Sequence, residues 1–181
     1  MFEFESSGSF EDLIDMNSDL CSFLGFEPDG YPVKDYKEWM KLYHIPEDGE
    51  LGYEEESKMQ SEHDSGVAMI VNFPYSTSPF WNMKKDGDIA KKCDVIMGGM
   101  ETIGSAERSI DPEEMKHQFN TISDGLYADL LYSKFGKDRV VAELDKFLEF
   151  DFFERYGGGI GITRMISAAK SCGVNLWTPD F

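Results

Sequence analysis

Two carboxylates lie on either side of an adjacent glycine pair, since Asp94 precedes Gly98-Gly99 and Glu101 comes after it. A glycine pair between two apolar runs is typical of the two-residue turn of a β-hairpin. Such a turn places Ile96 opposite Glu101, and it places Asp94 opposite Ile103. Because side chains alternate between the faces of a strand, these four residues are expected on one face of the hairpin.

The two carboxylates of this hairpin would be diagonal neighbours, with Cβ atoms roughly 5.5–8 Å apart. Carboxylates that close repel each other unless a cation or a proton lies between them. Mg²⁺ carried by a nucleotide fits, because it prefers one or two carboxylates together with phosphate oxygens. The spacing therefore predicts a metal site at Asp94 and Glu101, although two solvated surface acids would have the same spacing.

Arg108 lies seven positions beyond Glu101, which in a regular strand would put it on the opposite face. A bulge at Gly104 would return it to the same face. Arginine binds carboxylates through two parallel hydrogen bonds. Arg108 is therefore predicted to bind a substrate carboxylate; the alternative is a surface arginine paired with a nearby glutamate.

A glycine-rich segment, Gly157–Gly161, precedes a helical pattern that contains Arg164. Glycines allow a backbone to approach a ligand closely, and the first turn of a helix attracts phosphate. Gly159, Gly161 and Arg164 are therefore predicted to bind a nucleotide. Close packing of a strand against a helix would also use such glycines.

The elements that must position these residues can be predicted from local patterns. The opening Phe2–Glu5 alternates apolar and charged residues, as a half-buried strand does. Ser9 with Asp12 resembles a capping box, and Asp111-Pro112 is typical of a helix start. The other expected elements are a helix ended by Gly25, a helix near Tyr36–Met40, a helix within residues 45–66, a buried strand at Val67–Val71, an extended stretch from Ser78 to Met83, and helices near 112–120, 124–134 and 138–149. This order predicts an α+β fold, an antiparallel sheet flanked by helices, in one domain over residues 1–181.

Composition restricts the partners. The chain has 17 Lys plus Arg against 35 Asp plus Glu, a net charge of −18, and no basic run. Such a charge repels nucleic acid and anionic membranes, so tRNA binding by this chain alone, DNA binding and membrane binding are not expected. Cys21, Cys93 and Cys172 are widely spaced, and no histidine has metal spacing, which argues against a zinc site and favours reduced thiols in the cytoplasm.

Four ordered segments together resemble the class II aminoacyl-tRNA synthetase catalytic domain, in its aspartyl and asparaginyl branch. CDVIMGGMETIGSAERS is similar to the strand pair of those enzymes, and FERYGGGIGITRMISAAK is similar to their motif 3. NFPYSTSPFWNM resembles the segment between motifs 2 and 3, and FEFESSGSFEDL resembles the segment just after the second strand of motif 2. The GGMETIGSAER wording resembles asparaginyl-tRNA-synthetase-related proteins, including archaeal-type asparagine synthetases.

The resemblance implies a class II fold with only its C-terminal half, and it implies roles for matching residues. Asp94 and Glu101 would hold Mg²⁺, Arg108 would bind the amino acid, and Arg164 would contact the γ-phosphate of ATP as the catalytic arginine. ATP and Mg²⁺ are thus the expected cofactors, and the expected substrate is an aspartate-like amino acid.

The sequence also departs from the family pattern. Motif 1, the motif 2 arginine that holds the α-phosphate, and an anticodon-binding domain are not matched, and Ser78 stands where a basic residue is expected. Two hypotheses remain. The chain is either an adenylate-forming, ATP-dependent ligase that needs motifs 1 and 2 from a partner chain, or a non-catalytic paralogue that binds a ligand or inhibits another protein. An unpaired edge near Phe2–Glu5 predicts a homodimer or a complementing chain.

Overall fold

The computed structural model describes residues 1–26, 30–46, 48–62, 66–77 and 79–175. Its strands are β1 (Phe2–Ser7), β2 (Val33–Asp35), β3 (Val67–Pro74), β4 (Lys85–Asp86), β5 (Ile89–Met97), β6 (Met100–Glu107) and β7 (Arg155–Ile160). Its helices are α1 (Phe10–Phe23), α2 (Tyr36–Leu42), α3 (Tyr53–Glu62), α4 (Pro112–Thr121), α5 (Leu126–Phe135), α6 (Lys137–Leu148) and α7 (Ile162–Ser171), with 3₁₀ turns at Tyr75–Thr77 and Ile122–Gly125.

The strands form one sheet in the order β1-β7-β6-β5-β3-β2, and β4 pairs with β5. Neighbouring strands run antiparallel except β2, which runs parallel to β3. The predicted α+β architecture is therefore confirmed, with one parallel pair that the prediction did not include. Among the described strands, β1 is an edge strand, because only β7 pairs with it.

Local sequence signals account for several element boundaries. Ser9 and Asp12 form the predicted capping box at the start of α1, with the Ser9 backbone N–H donating to the Asp12 carboxylate at 2.7 Å. Asp111 caps α4 by accepting from the backbone N–H groups of its first turn. The hairpin turn between β5 and β6 uses Gly98 and Gly99, both at positive φ, 59° and 79°, a conformation that glycine adopts readily.

Helices α1 and α7 cover one face of the sheet. Apolar side chains from alternate strand positions fill the layer between these helices and the sheet. Its fully buried members include Leu13, Met69, Val95, Met97 and Ile103. On the opposite face, α2 and α3 pack on β3 and on the hairpin end of β5 and β6, where Trp39, Met59 and Ile70 form a second cluster. In the described parts of the chain, the rest of that face, over β1, β7 and the remainder of β6, is open.

Helices α4, α5 and α6 build a third apolar cluster around Trp81, whose ring meets those of Phe119 and Phe147 edge-on. This packing corrects the expected extended stretch at Ser78–Met83. The described part of it turns at Trp81 and Asn82, and Met83 N donates to Phe80 O at 3.0 Å. Burying the Trp81 ring in the helical cluster needs that turn, whereas Ser78 itself lies outside the described residues.

The hairpin register also corrects one prediction. Ile96 pairs with Glu101 as expected, but Val95 pairs with Ile103 and Asp94 with Gly104. Thr102 is therefore an extra residue in β6, a bulge that moves Ile103 to the helix-covered face. Within the described parts of the chain, no helix is long and apolar enough to cross a membrane.

Candidate functional site

The open face of the sheet carries two rows of neighbouring residues that run across β1, β7, β6 and β5. One row is Glu3, Gly159, Gly104 and Asp94; the other is Glu5, Gly157, Ala106 and Lys92. Each row crosses three inter-strand spacings, which is about 14 Å at ~4.8 Å per spacing. Charged residues thus stand at both margins, and the middle strands contribute glycine and alanine, so the sheet forms a trough with a nearly bare floor.

A cavity of about 570 Å³ occupies the β1 side of this trough. Its walls come from β1, β6 and β7 and from the residues just before β1 and just after β6: Met1, Glu3, Phe4, Glu5, Glu101, Gly104, Arg108, Gly158 and Gly159. That volume lies within the ~300–1,000 Å³ usual for small-molecule sites.

The glycines of β7 cannot be replaced by larger residues without displacing the trough walls. A Cβ on Gly157 would overlap the Glu5 carboxylate, and a Cβ on Gly159 would lie 3.0 Å from Met1 Sδ. Gly158 faces the other way, where a Cβ would lie 2.6 Å from Ser105 Cβ. These residues lie in a strand and not in a loop before the helix, so the glycine-rich segment forms the floor of the trough.

Asp94 and Glu101 converge over Gly104, where a Cβ would lie 3.7 Å from Asp94 Oδ1 and 2.9 Å from Glu101 Oε1. The two oxygens are therefore no farther apart than the sum of these distances. Asp94 is only 5% exposed. Its Oδ2 accepts from Lys92 Nζ at 2.5 Å, while its Oδ1 is buried and has no hydrogen-bond partner among the described residues.

Burial raises the pKa of Asp94 to about 7, the charge of Lys92 opposes this rise, and the nearby charge of Glu101 adds to it. Desolvation disfavours the charged carboxylate, and so does a like charge. An orphaned buried oxygen facing a second carboxylate fits a magnesium ligand pair, and a bound cation would remove both penalties. Within the described ranges, no group of three or more His, Cys, Asp and Glu is arranged to hold a metal ion, so such a cation would take its remaining ligands from elsewhere.

A third carboxylate, Glu56 of α3, lies beside this pair. Its Oε2 accepts from the backbone N–H of Glu101 at 3.2 Å. Burial raises the pKa of Glu56, and the charge of Glu101 adds to the rise. Helix α3 thus closes the hairpin end of the trough with an acid that no sequence motif singled out.

Arg164 reaches the same end from α7, where its Nη1 donates to the backbone carbonyl of Glu101 at 2.6 Å. The bulge residue Thr102 helps to fix this approach, because its carbonyl accepts from Gly161 N at 2.8 Å. The amide of Gly161 is therefore engaged within the protein, while the exposed Arg164 lies at the Glu101 backbone and close enough for its charge to lower the pKa of Glu56.

Arg108 stands at the other end of the trough and shares the cavity wall with Glu101. The expected bulge does return it to that face, but the bulge lies at Thr102 and not at Gly104. Arg108 Nε donates to Glu5 Oε1 at 3.0 Å. Arg108 is thus paired with a glutamate, as the alternative interpretation expects, and it also lines the cavity, while its binding of a substrate carboxylate stays a prediction.

Of the predicted site residues, Glu101, Arg108 and Gly159 line the cavity. Asp94 approaches Glu101 over Gly104, and Arg164 contacts the Glu101 carbonyl. Gly161 lies outside the cavity wall, and its amide bonds to Thr102 O. Sequence reasoning missed Glu3, Glu5, Glu56 and Lys92 as members of the site. The alternation of Phe2–Glu5 was the available signal for the two β1 glutamates, and it was insufficient because their position depends on the pairing of β1 with β7.

Solved structures with this fold include aspartyl- and asparaginyl-tRNA synthetases. The asparaginyl-tRNA synthetase of Entamoeba histolytica in complex with asparaginyl-adenylate matches 94% of this chain at a TM-score of 0.72 and 18% identity. That of Pyrococcus horikoshii, also with asparaginyl-adenylate, matches 92% at a TM-score of 0.69 and 16% identity, and the aspartyl-tRNA synthetase of E. histolytica matches 98% at 0.68 and 18%. The matches cover 43%, 43% and 42% of those chains, so this chain spans less than half of each.

Sequence comparison agrees with the fold. A stretch of 52 residues is 36% identical to the aspartate–tRNA(Asp) ligase of Pyrobaculum aerophilum, which corresponds to 29% of this chain and 12% of that protein. The family model of tRNA synthetases class II (D, K and N) matches residues 8–171. Because that model matches most of the chain, this chain belongs to the family of class II tRNA synthetases for aspartate, lysine and asparagine.

Proposed function

We propose that the trough binds ATP with Mg²⁺ and an aspartate-like amino acid, as part of an adenylate-forming ligase. The reaction class would be activation of the amino acid carboxylate by ATP, as in asparagine synthesis or in asparaginyl-tRNA formation. The observation that carries the proposal is the orphaned, buried Oδ1 of Asp94, which faces Glu101 at the end of the trough where Arg164 arrives. A protein with a purely structural sheet has no need for that arrangement.

At the hairpin end, Asp94 and Glu101 would hold Mg²⁺, which would neutralise phosphate charge when bound. Lys92 keeps one oxygen of Asp94 occupied and leaves the other available to bind a cation. Arg164 would contact a terminal phosphate, because its guanidinium is exposed beside Glu101 and carries a permanent charge. Together these residues would hold a triphosphate in one orientation.

At the opposite end, Arg108 would bind a carboxylate of the amino acid. Glu3 would receive its ammonium group from the β1 margin, where it lies level with Asp94 across Gly159 and Gly104. Both Arg108 and Glu3 line the cavity. The bare floor lets the ligand lie against the backbone, where Gly159 would contact it directly. An amino acid bound at Arg108 and a triphosphate bound at Asp94 and Glu101 would lie next to each other in the trough.

The proposed chemistry also needs a cation at the α-phosphate, where charge develops during attack. In the family, the motif 2 arginine plays this part. We propose that a segment carrying motifs 1 and 2, in this protein or in a partner chain, pairs with the outer edge of β1. Phe2, 57% exposed at that edge, would be covered by such pairing.

Calorimetry with Mg-ATP tests the site. We expect binding at millimolar ligand, and we expect Glu101→Ala to weaken it roughly tenfold or more, since even outer-shell partners of a metal contribute about that much. The matched control is Glu143→Ala, an exposed acid on α6 that pairs with Arg139 of the same helix. Absence of nucleotide binding by the wild type at millimolar ATP, or an equal loss in both variants, would contradict the proposal.

The alternative is a non-catalytic paralogue that binds a ligand or inhibits another protein. The net charge of −18 favours it, because such a charge repels tRNA. Pyrophosphate exchange with aspartate, measured with and without a chain carrying motifs 1 and 2, distinguishes the two. Nucleotide binding with no exchange in either mixture would support the paralogue.

Assembly gives a separate test of the β1 edge. Because the charge of −18 opposes self-association at low salt, a homodimer formed through β1 should tighten as salt rises. Sedimentation across salt concentrations measures this, and Phe2→Glu should weaken the dimer at every salt. A monomer at all salt concentrations would exclude the homodimer, so that of the two proposed assemblies only pairing with another segment or chain would remain.

A further inference from the structure

Two arginines share a single carboxylate at the Arg108 end of the trough. Glu5 Oε1 accepts from Arg108 Nε at 3.0 Å, and Glu5 Oε2 lies 3.8 Å from Arg155 Nε. Arg155 is the first residue of β7, and it lies on the trough face because it precedes Gly157 by two positions. It lies within the segment that resembles motif 3, but that resemblance assigned it no role.

The guanidinium of Arg155 is fixed behind Glu5. Its Nη1 lies within hydrogen-bonding distance of two backbone carbonyls, Ser109 O at 3.4 Å and Phe153 O at 3.5 Å. Its planar group lies 4.8 Å from the ring centroid of Phe152, and only 14% of the side chain is exposed. Arg155 stands outside the described cavity wall, so its charge would act on a ligand through Glu5.

The two guanidinium groups are close enough to affect each other. Burial lowers the pKa of Arg155, the carboxylate of Glu5 opposes this, and the charge of Arg108 lowers the pKa further. The group of three therefore holds two positive charges against one negative charge. Such an excess matters more in a partly buried site than in water, because the lower dielectric strengthens each interaction.

The charge balance determines which substrate suits this end of the trough. With Glu5 alone as its partner, Arg108 would be neutralised, and the end would suit an uncharged amide. With Arg155 as a second partner for Glu5, one positive charge remains, and the end suits a carboxylate. The exposure of Glu5, 53% of its side chain, leaves it room to turn toward Arg155 when a ligand binds Arg108.

We propose that Arg155 is a positioning residue that holds Glu5 and leaves Arg108 available, so that the site selects an acidic amino acid over its amide. This inference rests on the proposed function, and it names aspartate rather than asparagine as the class of substrate.

The test measures binding of L-aspartate and L-asparagine to the full chain with Mg-ATP present, by ¹H–¹⁵N NMR titration followed at the amides of Gly104, Gly157 and Gly159. The wild type should prefer aspartate by about tenfold or more, as expected for one hydrogen-bonded charge. Arg155→Gln should remove most of that preference, Arg155→Lys should keep most of it, and Glu5→Gln should increase it. Arg139→Gln, an exposed arginine on α6, is the control and should leave the preference as it is in the wild type.

The outcomes separate this inference from the proposed function. Equal weakening of both ligands by Arg155→Gln, or no change in their ratio, would overturn the inference while leaving ligand binding intact. Loss of preference in Arg155→Lys would overturn it too, because the charge would then not be the cause. Absence of binding by either amino acid to the wild type would overturn the proposed function itself, and this inference with it.

Discussion

The two faces of β5, β6 and β7 are made from alternate residues of the same segments, yet they differ in every physical respect. On the helix-covered face, Val95, Met97 and Ile103 are fully buried in apolar contacts. On the open face, the same strands carry Asp94, Gly104 and a row of charges. A single residue of register separates the packed face from the open face, and the Thr102 bulge determines the face of each β6 side chain that follows it.

This difference predicts that residues on the covered face raise the free energy of unfolding and that residues on the open face lower it. Glycine in a strand is less favourable than alanine by ~0.5–1 kcal/mol, and a buried carboxylate beside another carboxylate is worse. Substitutions on the two faces should therefore have opposite effects on the free energy of unfolding.

The largest effect is expected on the covered face. Ile103→Ala should lower the free energy of unfolding by about 2–5 kcal/mol, because Ile103 is fully buried between the sheet and its helices. Urea titration followed by circular dichroism measures the change. Nucleotide binding by the fraction that remains folded should be unaltered; a selective loss of binding would show that the two faces are not independent.

An intermediate effect of opposite sign is expected at Asp94. Because burial raises the pKa of Asp94 from 3.8 to about 7, the folded state holds a proton that the unfolded state releases between about pH 4 and pH 7. The stability that this group contributes is complete below pH 4 and is lost as pH rises toward 7. Asp94→Asn should avoid that loss.

In metal-free protein, the free energy of unfolding of Asp94→Asn should therefore rise relative to that of the wild type across this pH window, by on the order of a few kcal/mol. Above the window, the difference between the two proteins should stay constant. Thermal melts in EDTA at several pH values measure the trend. A difference that is flat from pH 4 to pH 8 would mean that Asp94 is ionised at ordinary pH in the folded protein.

The smallest effect on stability is expected at Gly104, where the effect on binding should be large. An added Cβ would lie 2.9 Å from Glu101 Oε1 and 3.7 Å from Asp94 Oδ1. A flexible carboxylate can move aside, so Gly104→Ala should change the unfolding free energy by less than about 1 kcal/mol. Mg-ATP binding should nevertheless weaken, because the two carboxylates would be pushed apart.

The control for Gly104→Ala is Gly52→Ala, where the nearest heavy atom to an added Cβ, Glu55 Oε2, lies at an ordinary 3.6 Å. It should leave nucleotide binding unchanged in the same calorimetry. Equal binding by both variants would remove Gly104 from the site.

Short-range signals explain what the sequence could predict. The Ser9–Asp12 capping box, the Asp111 cap and the Gly98-Gly99 turn each depend on residues within a few positions of one another. The turn also determined the pairing of Ile96 with Glu101, which brought both carboxylates to one face. These are places where the chain determines its own local geometry.

Long-range pairing explains what could not be predicted. The bulge lies at a threonine and not at a glycine, and the Thr102 carbonyl is held by Gly161 from a distant segment. Glu5 and Arg155 meet only because β1 pairs with β7. Trp81 leaves the extended path because helices far along the chain supply its contacts. No local pattern around these residues contains that information.

The position of the glycine strand affects how the trough behaves over time. Strand β7 lies between β6 and the edge strand β1, and its consecutive glycines give any opened state extra backbone entropy. The amides of β1 and β7 should therefore exchange with solvent before those of β3 and β5, which lie deeper in the sheet. The trough would then consist of one persistent half and one half that detaches transiently. For a ligand that bridges both halves, the apparent affinity would equal the intrinsic affinity multiplied by the fraction of time that the halves are together.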